Sequence, residues 1–259
     1  MLDVHPPRHA AQSWRDFLVH IATIVIGLLI AVGLEQAVEF VHHRHQRDGL
    51  EEQMRDVLAQ DRGFIARDLA LLTGFREYLV EVQIAITARL KGQNARQPTR
   101  LDPRTGIRIL VPNLAPYQAA KENGTVALLD SERIGLFNRV AFQREVLQSI
   151  LNRFMDSIET MDAFRKRYDY SQGSRALGLP VPTTDISSLN SGELVEYRSL
   201  VAATINATDE VMGRLSLMDV VVRVLLDGAR NEGDLMARVD GELRAGRKAN
   251  DQPARADQP

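Results

Sequence analysis

FLVHIATIVIGLLIAVGL, Phe17 to Leu34, is an 18-residue run without Asp, Glu, Lys or Arg. As a helix it rises about 27 Å, close to the ~30 Å hydrocarbon core of a bilayer. Apolar character continues through Ala37, Val38, Phe40 and Val41, broken by Glu35, Gln36 and Glu39. We therefore read a transmembrane helix over 17–41, with its acidic residues near one interface. Trp14 and Arg15 precede it, where an aromatic anchor and a cation belong. A buried core helix is seldom so long and so uncharged. A cleaved signal peptide has a shorter apolar region and a small-x-small exit. Here the exit is the acidic LEQAVE, so the segment is expected to stay as an uncleaved anchor.

Working outward, 1–16 is a short N-terminal tail. It carries Arg8 and Arg15, against Arg44 and Arg47 beyond the span. The cation count is close to a tie, and long domains translocate largely regardless of charge. A short tail before an apolar anchor favours the N-terminus inside and the rest of the chain outside the cytoplasm.

From Gln46 the pattern is helical. Met54, Leu58, Ile65, Leu69, Leu72, Phe75, Leu79, Val82, Ile86 and Leu90 are spaced by three, four or seven, and the helix is expected to end near Lys91-Gly92, Gly being a common terminator. No proline lies between 8 and 97, so anchor and helix run on almost unbroken. Residues 92–113 read as a loop, with Ile107 to Val111 as a short strand lacking a partner. A short helix follows at about 115–129. A second long helix carries Ile134 to Tyr168, capped by Asp130 or Ser131. After a loop at 171–190, Asn190 and Glu193 predict a capping box for a third long helix, ended by Gly228. A polar helix at about 231–245 precedes a tail, 247–259, of disordered composition. The expected fold is all-α: one transmembrane helix, then an elongated bundle over 42–246 of three long and two short helices. Connections of about 20 residues permit antiparallel packing, and the stripes read as broad rather than strictly heptad.

Composition narrows the chemistry. The net charge of −2 gives no electrostatic support for nucleic acid. There is no cysteine, and all six histidines lie before residue 46. The larger part of the chain thus lacks the usual general base and the soft metal ligands. No phosphate loop or dinucleotide fingerprint is present. The expectation is a non-enzymatic protein with no catalytic residues, no cofactor and no resident metal. The weak metal candidates are Glu39, His42, His45 and Asp48, which share one helix face with Glu35 and Glu52. A helical metal site needs facing ligands from other helices, and no partner Glu-x-x-His exists, so a solvated interfacial face is the simpler reading. Asp61 and Asp68, seven apart at the edge of an apolar stripe, are expected on the bundle rim rather than as an acid–base pair. Asn123-Gly124-Thr125 and Asn206-Ala207-Thr208 match a glycosylation sequon but fall in predicted helices.

Within the span, Thr23, Gly27, Ala31 and Glu35 recur every four residues. Small residues let helices approach closely in lipid, so this is the expected packing face for a partner span or a second copy. The partners expected are the lipid bilayer and a membrane protein.

The stretch WRDFLVHIATIVIGLLIAVGLEQAVEFVHHRH, Trp14 to His45, resembles the opening of a family of uncharacterised bacterial single-span membrane proteins, a domain of unknown function. PYQAAKENGTVALLD, 116–130, is similar to a small-residue helix in the same group. The resemblance implies a bacterial inner (cytoplasmic) membrane protein and supplies no activity. A binding or assembly module is the leading expectation. A ligand sensor acting through its span and a carboxylate-based enzyme are the alternatives.

Overall fold

A computed structural model describes residues 14–94, 109–167 and 186–251. All regular structure among them is helical: α1 (Trp14–Leu90), α2 (Ala115–Glu122), α3 (Ser131–Arg167), α4 (Ser191–Leu226) and α5 (Glu232–Asp251). Single 3-10 turns lie at Thr125–Leu128 and Ile186–Ser188. The chain divides into two units, Met1–Glu51 and Glu52–Pro259, and α1 is one helix of 77 residues carried through both.

In the second unit the burial follows heptads. On α1, Leu58, Ile65, Leu72, Leu79 and Ile86 form one buried row, and Met54, Asp61, Asp68, Phe75 and Val82 form the other. On α4 the rows are Leu194, Val201, Thr208, Leu215, Val222 and Tyr197, Thr204, Val211, Met218, Leu225. Two heptad rows carry most of this burial, since spacing of 3.5 keeps a seam facing its neighbours, and Tyr78 and Ala85 on α1 and Ile205, Val221 and Val224 on α4 widen the stripes. Each Leu, Ile or Val so placed contributes about 1.5–3 kcal/mol over leaving it in water. Thr204 and Thr208 enter this seam because each hydroxyl donates to a carbonyl one turn back, Leu200 at 2.9 Å and Thr204 at 2.7 Å.

Cross-helix contacts fix the directions. Arg167 meets Glu196 at 2.7 Å, Arg153 meets Glu210 at 2.5 Å, and Arg214 donates to Gln143 at 3.1 Å, so α3 and α4 are antiparallel. Arg55 donates to the Leu226 carbonyl, Arg62 to Asp219 and Arg76 to Asp209, so α1 and α4 are antiparallel too. It follows that α1 and α3 are parallel, with Phe75 edge-on to Phe154 at 6.3 Å. Antiparallel packing across a connection, which its length permits, thus holds between α3 and α4 and not between α1 and α3. The described part of the connection from α1 to α3 runs back along α1 before α3 begins. Its segment 109–113 descends along α1, bonding Asp68 first and Asp61 next. α2 then packs on α3 through Tyr117, which lies 5.4 Å from Phe137 and donates to Asn138 at 2.9 Å. α5 returns along α4 and α3, burying Leu235 and Val239, with Arg223 paired to Glu242.

The helix ends match their sequence signals. Asn190 and Glu193 form the reciprocal capping box of α4. Asp130 accepts from the Arg133 amide at 2.8 Å and caps α3. Gly92 and Gly228, at φ 70° and 84°, close α1 and α4 in the left-handed conformation. In both, the following amide reaches five residues back, Gln93 to Ala88 and Ala229 to Val224. The helix read at 115–129 is instead divided: α2 stops at Glu122, and Gly124 at φ 82° redirects the chain into the 3-10 turn. The helix read at 231–245 continues to Asp251, into the segment read as tail; 252–259 lie outside the described residues. So do 1–13 of the N-terminal tail and most of the loop at 171–190.

Candidate functional site

The first unit offers an apolar helix surface that nothing among the described residues covers. Every residue from Phe17 to Leu34 is exposed, and the uncharged window within α1 is wholly unburied. Leu29 is 67% exposed and Ile30 59%, values that a core helix of a water-soluble bundle does not show. Among the described residues this is the one helix long and apolar enough to cross a membrane. Trp14 stacks on Phe17 at one end, with ring centroids 5.4 Å apart.

Thr23, Gly27, Ala31 and Glu35 all lie on this exposed helix. The Thr23 hydroxyl donates to the Val19 carbonyl at 2.8 Å, so it is satisfied within its own helix. No atom lies within 4 Å of where a side chain on Gly27 would begin, which leaves the groove over Gly27 open.

The metal candidates follow on the same helix and are engaged locally. His42 bonds Gln46 at 3.0 Å, and Asp48 meets Arg47 at 2.9 Å and Arg44 at 3.8 Å. Glu39 lies 3.9 Å from His43 rather than from His42 or His45. Among the described residues no three His, Asp or Glu side chains are grouped to hold a metal ion. Of the sequon residues, Asn206 lies in α4, whereas Asn123 lies just past α2. It is exposed, and its side chain accepts from the Thr125 amide at 2.9 Å.

Asp61 and Asp68 depart furthest from expectation. They are not on the rim: Asp68 is fully buried and Asp61 nearly so. Each takes a core position of the α1 heptad and accepts a main-chain N–H from the returning segment. Leu110 donates to Asp68 Oδ2 at 2.8 Å and Asn113 to Asp61 Oδ2 at 2.9 Å. On α3, Arg144 donates to the Pro112 carbonyl at 3.0 Å. Residues 109–111, at the end of the run read as a strand, therefore do have a partner, but it is a side chain rather than another strand. The two carboxylates differ. Arg67 places Nη2 at 2.7 Å and Nε at 3.1 Å from Asp68 Oδ1. Among the described residues no cation pairs with Asp61, and burial pushes its carboxyl above the usual range, an effect the Asn113 amide opposes.

A second buried polar group lies where α1, α3 and α4 meet. Arg165 is fully buried, with Asp162 3.9 Å away. Tyr197 stacks flat on Phe164 at 5.1 Å, and the Arg167 guanidinium lies 5.3 Å from the other ring partner's centre, that of Phe164. Burial and the neighbouring Tyr197 push the Tyr78 phenol far up, and Arg165 only partly offsets them. Tyr78 therefore stays a hydrogen-bond donor at neutral pH. Arg165 carried no sequence signal: it follows Phe164 in an apolar register that a cation does not normally enter.

No family model, no curated protein and no solved structure matches this chain.

Proposed function

We propose that the chain is a single-pass protein of the bacterial inner (cytoplasmic) membrane, anchored through 17–41, whose helical domain is a non-enzymatic interaction or assembly module. The observation that carries this reading is the uncharged run Phe17–Leu34, exposed along its whole length. Exposed apolar surface on that scale is stable in lipid and not in water. The resemblance of 14–45 to a bacterial single-span group supports the same compartment. Partners are the bilayer and a membrane protein, or a second copy, packed against Thr23, Gly27, Ala31 and Glu35. The helical domain is placed outside the cytoplasm.

The test is fractionation of the full-length chain. It should remain with membranes after a carbonate wash, and its appearance in the soluble fraction would sink the proposal. A C-terminal reporter active only outside the cytoplasm should work; activity only of a cytoplasmic reporter reverses the topology.

The continuity of α1 favours a second reading, a ligand sensor acting through its span. One helix carries both the apolar run and the bundle core. Affinity purification from detergent-solubilised native membranes separates the two: a stoichiometric structural partner favours assembly, and a signalling subunit favours sensing.

A further inference from the structure

We propose that residues 109–114 form a proton-dependent strap, held against α1 by the protonated Asp61 carboxyl and loosened when Asp61 ionises. This is independent of the membrane reading, because every group involved lies in the second unit. Three features of the geometry support it. The strap is recognised through its main chain: Leu110 and Asn113 donate to Asp68 and Asp61, and Pro112 accepts from Arg144. Its attachment points are unequal, since Asp68 is paired with Arg67 and, among the described residues, the buried Asp61 is paired with no cation. Strap residues Ile109 to Leu114 contain no ionisable side chain, so nothing on the strap compensates the charge.

The neighbouring charges leave Asp61 as the sensitive group. On α1, Arg62 is turned to Asp219 of α4 at 3.0 Å, and Arg67 is taken by Asp68. On α3, Arg144 holds the Pro112 carbonyl, and on α4 Arg214 holds Gln143. Arg144 and Arg214 keep their charge in these bonds to neutral acceptors, but among the described residues neither is paired with Asp61, and its burial favours the neutral form.

The sign follows from linkage. Undocking the strap lets water reach Asp61 and returns it toward its ordinary value of 3.8. The docked state therefore binds the proton more tightly than the undocked state. Docking is strongest below the ordinary value and weakens as pH rises through the raised one, by up to roughly tenfold per pH unit for a single proton. Above the raised value it levels off.

Hydrogen–deuterium exchange on the full-length protein in detergent tests this, followed between about pH 4 and pH 8 and corrected for intrinsic exchange. Wild type should lose protection over 109–114 as pH rises, while the cores of α3 and α4 hold theirs. Asp61→Asn, a neutral isostere that still accepts from Asn113, should keep the strap protected with no pH dependence and exceed wild type at the upper end. Asp61→Ala, which removes the acceptor, should lower protection at every pH. A flat wild-type profile, or a slope unchanged in Asp61→Asn, overturns the proposal. If Asp61→Asn fails to fold, the wild-type profile decides alone.

Discussion

Placing charge in the middle of the apolar run measures how firmly the chain is committed to lipid. Twelve of the eighteen residues from Phe17 to Leu34 are Phe, Leu, Ile or Val. At roughly 0.3–0.6 kcal/mol each near a bilayer centre, they favour insertion by about 4–7 kcal/mol. Ile26 lies at the midpoint and is 57% exposed, so its replacement disturbs no packing within the chain. Ile26→Arg removes that gain and adds a charge, a change of about 3–4 kcal/mol. The margin left is near zero to a few kcal/mol, and insertion should become partial. Adding Leu29→Arg one turn on doubles the cost to about 6–8 kcal/mol, which matches or exceeds most of the range of the gain. The double variant should fail to insert, while Ile26→Leu behaves as wild type. Flotation of membranes through a density gradient, after a carbonate wash, separates inserted protein from aggregate. If the double variant floats with the lipid as wild type does, the run is not the anchor and the reasoning from exposed apolar surface fails.

Other perturbations follow from the bundle. Phe154→Ala, at a fully buried ring edge-on to Phe75, should destabilise a fragment beginning near Arg47 by about 3–5 kcal/mol; a loss under about 1 kcal/mol in denaturant would show that the α1–α3 seam is not packed as described. Asn190→Ala breaks the capping box of α4 and should cost about 1 kcal/mol in the same titration. Gly27→Ile, which fills the groove over the span, should abolish association of the isolated span in a membrane two-hybrid assay, and Leu28→Ile should not. Equal signals would leave the small residues as composition alone.

The helices were legible because their signals are local. The seven-residue recurrence from Leu58 to Ile86, Gly92 and Gly228 past the ends, and Asn190 three before Glu193 each act through the chain's own backbone. The direction of α3 against α1 was not legible. It depends on how the connection between them runs, and no periodicity reports where a loop lies. The apolar run was legible to the same degree as the helices, since length and lack of charge are enough.

Asp61 and Asp68 mark where the sequence signal was present but pointed elsewhere. Met54, Asp61, Asp68, Phe75 and Val82 are seven apart, so the register alone places both carboxylates in the seam. Composition argued the other way, because an unpaired acid is normally kept at the surface. The conflict resolves through the returning segment, whose extended main chain brings N–H groups that a helix would have used internally. An apolar residue at 61 or 68 would take from the Asn113 or Leu110 amide its side-chain acceptor. A helix in place of the strap would have no amide to offer. The carboxylates and the extended segment therefore specify each other, and neither reads correctly until both are placed. Asp68 carries Arg67 as its counter-ion, and among the described residues Asp61 carries none. In the proposed strap that asymmetry makes the Asn113 end the one that responds to protons, while Arg67 holds the charge at the Leu110 end.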